Sequence, residues 1–496
     1  MKENNKYQQI YYSILVTGIL LRVIQFLYNR SLWHDEAALA LGLIDFNYSL
    51  FQTLPNQQSA PILFLLIERF FIILFGKSEY VLRIFPLICS IVSLLLFRNF
   101  AFKVVRNEKA VLAAFALFAF SPLLIYHSSE LKQYTSDVLV FIVQCTIGFA
   151  NIKNRQKYLW LAVSGVFFIF LSNIAVFVLA FLYVYLFFTQ LKRRKFHKGF
   201  FFSSAVLLVA FAAYYLFFAH EHPYRQFMLN YWQNAFMPLN PFLREFWEWH
   251  LHTFSLFFKK LFFGQVPPTW FIIFLTGFFF LLFSAGVFKA MLNRNFHLLY
   301  ILLFPVLLHL TVSALKLYPF HVRLVLYLSP LIFIGVALGG LLLYEKMNAF
   351  LDNGKIVLFS LIAFFAIFLF LNLNHYPIER EEIKQSLKFI ETHKKKGDKL
   401  VVAKSAKNAF AYYIKTRQFN TRALKVEYIT LEKEMNAFTE KYSDNHGRYW
   451  FLFSHNLKKH QKEISGLIEF FRSKGYLIHL HQSTGSMAIL VSSGEY

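Results

Sequence analysis

Residues 10–38 read IYYSILVTGILLRVIQFLYNRSLWHDEAA, and this stretch decides the fold. From Ile10 to Tyr28 a single charge, Arg22, interrupts an apolar run. About 20 apolar residues, coiled as a helix, cross the ~30 Å hydrocarbon layer of a bilayer. A short basic segment with Lys2 and Lys6 precedes the run, and no small-residue cleavage site follows it. The run is therefore expected to be a retained first span, not a removed signal peptide. Directly beyond it comes Ser31-Leu-Trp-His-Asp-Glu-Ala-Ala38, with the acidic pair Asp35 and Glu36 at the membrane surface.

Working outward, further apolar runs lie near 61–76, 80–98, 110–127, 134–150, 158–172, 173–190, 200–219, 269–289, 297–315, 321–344 and 355–373. The chain is 57% hydrophobic and 16% charged; soluble domains hold about 45–50% apolar and about 25% charged residues. The excess apolar content, gathered in such runs, implies membrane spans. The net charge of +24 would suggest nucleic acid in a soluble protein. Here Lys and Arg concentrate in loops, as cytoplasmic loops require, and no nucleic-acid-binding motif accompanies them. Cys89 and Cys145 sit inside apolar runs, which argues against a disulfide framework and a metal-ligand spacing.

Basic clusters set the expected sidedness. Arg98, Lys103, Arg106 and Lys109 form one; Lys153, Arg155 and Lys157 a second; Lys192 to Lys195 with Lys198 a third. All should face the cytoplasm together with the N-terminus. Span 10–28 then leaves the cytoplasm and span 80–98 returns, so the run 61–76 between them cannot cross. It is short, and it carries Glu68 and Arg69 at its middle. It is expected to be an interfacial or re-entrant helix on the outer face. The expected fold is a polytopic α-helical membrane protein with about eleven spans and outer interfacial helices. Residues 1–374 form its membrane domain, with outer loops 29–79 and 220–268, and a bacterial inner membrane is its expected location.

Beyond Asn374 the chain turns polar and basic. A helical pattern over 379–396, strands at 399–404 and 448–454, a helix over 455–474 and strands at 476–482 and 487–492 imply a small α/β domain, 375–496, with a parallel or mixed sheet outside the cytoplasm. It has no glycine-rich phosphate loop.

The candidate chemistry lies at the outer boundaries. Asp35 and Glu36 suit a general base or metal ligands. Acidic residues in a first helical turn also act as caps, and the motif alone leaves both readings open. In the turn Tyr126-His-Ser-Ser-Glu-Leu-Lys-Gln-Tyr134, the residues Glu130, Tyr134 and Asp137 share a face if the following helix begins early. Lys132 is placed to meet a phosphate; a solvated turn capping two helices is the plainer reading. Arg323, in Lys316-Leu-Tyr-Pro-Phe-His-Val-Arg323, opens the span to Tyr344 either as a snorkelling anchor or as a phosphate clamp. Arg83 has the same choice, or a tie to the loop 29–60. Trp232, Trp247 and Trp249 suit interface anchoring or sugar stacking, and His250 and His252 are too loosely spaced to define a metal site.

These pieces resemble, in order and spacing, the GT-C fold glycosyltransferases of the protein O-mannosyltransferase and lipid A aminoarabinose transferase type. Trp33-His-Asp-Glu-Ala37 is similar to that family's acidic motif after the first span. Ser59-Ala-Pro-Ile-Leu63 with Leu82-Arg83 is similar to its proline-led helix and following arginine. Ser129-Glu-Leu-Lys-Gln-Tyr134 is similar to its second outer turn, and Phe320-His-Val-Arg-Leu-Val-Leu-Tyr327 with Pro330 to its late arginine-bearing span. The sequence departs from the pattern at Ala60, where the family often carries His or Lys.

The resemblance implies a polyprenyl-phosphate sugar donor, an extracytoplasmic protein or glycolipid acceptor, and one inverting displacement. It implies Asp35 as base, with Glu36 supporting it or sharing a divalent cation with it, and Glu130 or Asp137 as a second acid. Lys132, Tyr134, Arg323 and Arg83 would attend the donor phosphate. The rival readings are a transporter or flippase of lipid-linked glycans, a polysaccharide polymerase or ligase, and a membrane scaffold. A flippase calls for polar residues deep in several spans, and few charges lie there.

Overall fold

The structure is a computed structural model that describes residues 2–45, 58–220, 223–351, 354–430, 447–455 and 457–493. The first half of the chain folds as helices α1 (Lys2–Leu27), α2 (His34–Asp45), α3 (Ile62–Phe75), α4 (Val81–Val105), α5 (Glu108–Phe120), α6 (Pro122–His127), α7 (Tyr134–Gly148), α8 (Asn154–Leu171), α9 (Ala175–Lys192) and α10 (Lys198–Tyr214). Then come α11 (Arg225–Tyr231), α12 (Arg244–Phe263), α13 (Trp270–Leu292), α14 (Phe296–Ala314), α15 (Ser329–Leu351) and α16 (Gly354–Leu373). Among the described residues, seven helical stretches are long and apolar enough to cross a membrane: Tyr7–Leu27, Val81–Val105, Ala175–Lys192, Lys198–Phe218, Trp270–Leu292, Phe296–Ala314 and Leu326–Leu351. The chain is a polytopic α-helical membrane protein. Every apolar run read from the sequence is helical over most of its length, though several are shorter than expected.

Two runs differ in a way the backbone explains. The run at 110–127 breaks at Ser121, whose extended backbone separates α5 from α6. Pro122 stands at the start of α6 and has no N–H to give to the carbonyl four residues earlier. The orphaned Phe118 and Ala119 carbonyls are taken by Arg22, the lone charge of the first span, whose Nη2 and Nη1 donate to them at 3.3 and 2.9 Å. Its Nε donates to Ser90 Oγ at 2.9 Å. Backbone polar groups at membrane depth must find protein partners, and a buried arginine supplies them here. The run at 321–344 likewise starts late: 321–328 is a turn with a short 3-10 segment, and α15 begins at Ser329, just before Pro330. Arg323 therefore stands in a turn, not on a span.

The run at 61–76 forms α3, which at 14 residues reaches only ~21 Å. Glu68 is buried on its inner face, and Arg69 donates to Leu43 O at 2.7 Å. Helices α13 and α15 pack backbone to backbone: a Cβ on Gly286 would lie 2.1 Å from Gly335 O, and one on Gly339 would lie 1.8 Å from Leu282 O. Small residues permit such approach in membranes, where van der Waals contact replaces hydrophobic driving force.

Residues after α16 form α17 (Ile383–His393), β1 (Lys399–Ala403), α18 (Lys407–Lys415), β2 (Lys425–Ile429), β3 (Arg448–Ser454), α19 (Gln461–Ser473), β4 (Leu477–Ser483) and β5 (Ser486–Ser492). The sheet order is β2-β1-β3-β5-β4. β1 runs parallel to β2 and β3, and β5 antiparallel to β3 and β4, the mixed sheet the alternation implied. The sequence reading missed β2 and α18, and it began α17 four residues early.

The basic clusters gather at one end of the bundle. There Arg98 pairs with Glu108 at 3.6 Å and Lys289 with Glu345 at 2.6 Å, and Lys109 lies 5.5 Å from the ring centre of Tyr344. The segments 29–45, 128–134, 232–237, 318–328 and 376–384 meet at the other end.

Candidate active site

The turn after α1 is fastened from all sides. Asp35 and Glu36 occupy the first turn of α2, and adjacent helical residues point about 100° apart. Glu36 turns inward. It accepts from Arg30 Nη1 at 2.7 Å, from Arg83 Nε and Nη2 at 3.1 and 3.0 Å, and from the Leu131 amide at 2.8 Å. Arg83 spends its remaining donors on the carbonyls of Arg30 and Ser31, at 2.8 and 3.3 Å. All three charged side chains are buried. Burial pushes the Glu36 carboxyl up, but Arg30 and Arg83 outweigh it and hold it below the ordinary carboxylate range.

Arg83 is thus committed to Glu36 and the 30–31 backbone. Both Glu36 oxygens face guanidinium groups. Among the described residues, no three His, Cys, Asp or Glu side chains come together to hold a metal ion.

Glu130 is equally occupied. Trp33 Nε1 donates to its Oε1 at 2.7 Å, His127 Nδ1 bonds its Oε2, and Arg380 approaches at 3.7 Å. It lies in the turn ahead of α7 and so does not share a helical face with Tyr134 and Asp137. Asp137 points into the bundle, where Ser172 Oγ donates to it at 2.6 Å, a bond that ties α7 to the C-cap of α8. Asp137 lies in the first turn of α7, three residues after Tyr134.

Asp35 differs from the other acids. It is half-buried, and among the described residues its one hydrogen bond comes from Arg323 Nη1 to Oδ2 at 3.1 Å. Lys132 is its strongest attractive charge; burial raises the carboxyl, but Lys132 and Arg323 together carry it below its usual range. Lys132, buried, donates to Gln58 Oε1 at 2.7 Å, and burial lowers its ammonium against the pull of Asp35. Burial alone would lower Arg323, but Tyr134 and Asp35 more than offset it. Of the residues singled out in the sequence, Asp35, Lys132, Tyr134 and Arg323 come together.

Three contributors escaped the sequence reading. Arg380 lies with its guanidinium 3.3 Å from the centre of the Trp33 ring and donates to Tyr126 OH at 3.4 Å. Arg30 lies 4.5 Å from the centre of the Tyr126 ring. The segment Glu379-Arg-Glu-Glu382, read as the start of a helix, instead runs along the acidic motif. Glu382 accepts from the Ser31 amide and hydroxyl, both at 3.0 Å, Glu381 from the His34 amide at 3.0 Å, and Tyr413 OH from the Leu32 amide at 2.9 Å. His34 stacks on His455 with ring centres 4.7 Å apart, and His455 bonds Glu381 at 2.8 Å. Four charges in a row after the last apolar run were the available signal.

Several known proteins are similar to this chain. Residues 58–218 match the family described as dolichyl-phosphate-mannose-protein mannosyltransferase. That stretch contains Arg83, Glu130 and Lys132, while Asp35 and Arg323 fall outside it. A comparison with curated proteins finds no match. Among solved structures, the archaeal oligosaccharyltransferase AglB from Archaeoglobus fulgidus, in complex with an inhibitory peptide and a dolichol-phosphate, superposes with a TM-score of 0.52 at 11% identity, over 96% of this chain and 74% of that one. ArnT from Cupriavidus metallidurans bound to undecaprenyl phosphate gives a TM-score of 0.49 at 11% identity over 98% of both chains. The chain is a polytopic membrane protein with the GT-C fold, similar over its residues 58–218 to the dolichyl-phosphate-mannose-protein mannosyltransferases.

Proposed function

We propose that this protein is a membrane glycosyltransferase that moves a sugar from a polyprenyl-phosphate carrier to an acceptor hydroxyl outside the cytoplasm. One observation carries the reading: at the end of the bundle opposite the basic clusters, Asp35 keeps a free carboxylate oxygen beside two cations, Arg323 and Lys132. The family matched by residues 58–218 takes its sugar from a dolichyl phosphate, and the structure of AglB holds a dolichol-phosphate. Outside the cytoplasm a nucleotide sugar is not expected, so the activated sugar arrives on a lipid. Residues 1–374 carry the reaction, and 375–496 back the site from outside.

In the reaction, the acceptor oxygen attacks the anomeric carbon and the carbon–oxygen bond to phosphate breaks. The configuration inverts, the hydroxyl proton passes to Asp35, and the polyprenyl phosphate leaves as an anion. Arg323 and Lys132 stabilise the charge that grows on that phosphate, a contribution that often dominates catalysis. The two roles are linked. A carboxylate held low by cations is ionised but a weak base. A phosphate bound to Arg323 and Lys132 neutralises the charges that depress Asp35, so the donor raises the basicity of the group that must accept the proton. Tyr134, beside Arg323, is the fourth member of this site.

The test is transfer from a short-chain polyprenyl-phosphate hexose to membrane extract, comparing native protein with Asp35→Asn. Transfer by the native protein with loss in the variant is expected; undiminished transfer by Asp35→Asn would overturn the role of Asp35. Movement of the carrier across vesicles without transfer would favour a flippase.

A further inference from the structure

The tryptophans of 220–268 divide into three kinds. Trp247 is 64% exposed, as a membrane anchor would be. Trp249 is a brace: its Nε1 donates to Asn234 O at 3.1 Å, and its ring lies 6.1 Å from that of Phe320. Trp232 belongs to the site. The guanidinium carbon of Arg323 lies 5.0 Å from its ring centre, and the His321 ring centre lies 5.0 Å from it. The loop that carries Trp232 is fastened to the turn carrying Arg323 by Phe320 N to Ala235 O at 2.9 Å, and to the end of α14 by Met237 N to Ser313 Oγ at 3.0 Å.

Two buried polar atoms at this corner have no hydrogen-bond partner among the described residues, His321 Nδ1 and Arg323 Nε. A buried polar atom without a partner is costly and calls for explanation. The set combines a flat apolar face, one guanidinium donor and one imidazole nitrogen, next to Asp35, whose Oδ1 has no hydrogen-bond partner among the described residues. A pyranose ring answers all of it, with C–H groups for the indole face and hydroxyls that can both donate and accept. We propose that Trp232, His321 and the Nε edge of Arg323 form the subsite for the transferred sugar, and that this sugar is an uncharged pyranose. An ammonium on the ring would face the fixed charge of Arg323, and a carboxylate would meet Asp35. His321 is held neutral, because burial and then the nearby Arg323 and Arg380 bring it down to about 4. It therefore offers hydrogen bonds and no charge.

This inference rests on the glycosyltransferase reading, and the test separates the two. Binding to the full-length protein in nanodiscs would be measured for three short-chain probes: polyprenyl phosphate, polyprenyl-phosphate mannose, and polyprenyl-phosphate 4-amino-4-deoxyarabinose. Native protein should prefer the mannose lipid to the bare phosphate, and the amino sugar should add nothing. Trp232→Leu, which keeps apolar bulk but removes the ring, should weaken the mannose lipid about tenfold and leave the bare phosphate unchanged. Trp232→Phe should retain the preference. Equal weakening of both lipids by Trp232→Leu, no effect on either, or tighter binding of the amino sugar than of mannose would overturn the subsite alone. Failure of native protein to bind any of the three would overturn the glycosyltransferase reading and the subsite with it.

Discussion

Asp35 and Glu36 are neighbours on one helical turn, yet the two sides of that turn are different environments. On the Glu36 side, two guanidinium groups and an amide close around a buried carboxylate, and nothing else can reach it. On the Asp35 side, the cations stand to one flank and an oxygen remains open. A carboxylate enclosed by compensating charge holds a fold together; one with spare coordination can meet a substrate. Adjacent acids in a motif are therefore not a pair in the chemical sense. The helix separates them by about 100° and gives them opposite work.

The largest expected effect lies on the open side. Asp35→Asn should reduce sugar transfer by about 10²–10⁴-fold while leaving the thermal midpoint of the detergent-solubilised protein in place. A midpoint that fell with the activity would erase the distinction between the two sides. Next, Glu36→Gln leaves Arg30 and Arg83 buried without their counter-charge and should cost about 3–5 kcal/mol of stability, read as a lowered midpoint and poor recovery of folded protein. A stable Glu36→Gln protein that transfers no sugar would show that Glu36 does chemistry after all.

A third prediction sharpens the account of Asp35. Its carboxyl is depressed, so activity should persist above that low value and disappear as pH falls through it. Arg323→Gln removes one of the depressing cations, so the acid limb of the residual activity should move upward by about one pH unit. An unmoved limb would mean that Asp35 does not set it. The smallest effect concerns the cover on the motif. His34 is pushed below its ordinary value of 6.5 by burial and then by His455, against weaker raising contributions from Asp35, the Ser405 carbonyl and Glu381. A base favoured in its neutral form when folded contributes its stability above its unfolded pKa and loses it as pH falls below. Hydrogen exchange at the Leu32 and His34 amides, corrected for intrinsic rate, should quicken between pH 7.5 and pH 5. The Glu36 cage, by contrast, should hold through that range.

Much of the fold was legible because span length and charge clustering are local properties. The run 61–76 read as non-crossing from its length and its central Glu68 and Arg69, and it forms the short helix α3. The breaks at Ser121 and before Ser329 were signalled by Pro122 and Pro330 but went unread, since hydropathy averages over single residues. Asp35, Lys132 and Arg323 read as candidates because charged groups at a membrane boundary stand out. Arg380 did not: the Glu130 it approaches lies 250 positions away, and nothing local marks the meeting. The partners of Arg83 and Asp137 went unread for the same reason, because Glu36 and Ser172 belong to other elements.

By itself the amino-acid sequence determined that this chain lies in a membrane, where its helices run, and which segments share an end of the bundle. Apolar length and basic loops act residue by residue against bilayer and water, without reference to the rest of the molecule. Only the tertiary structure decided which charges are spent and which are left over. A buried charge must be compensated by whatever the fold brings within about 4 Å, and for Glu36, Glu130 and Asp35 the cations Arg83, Arg380 and Arg323 come from distant parts of the chain.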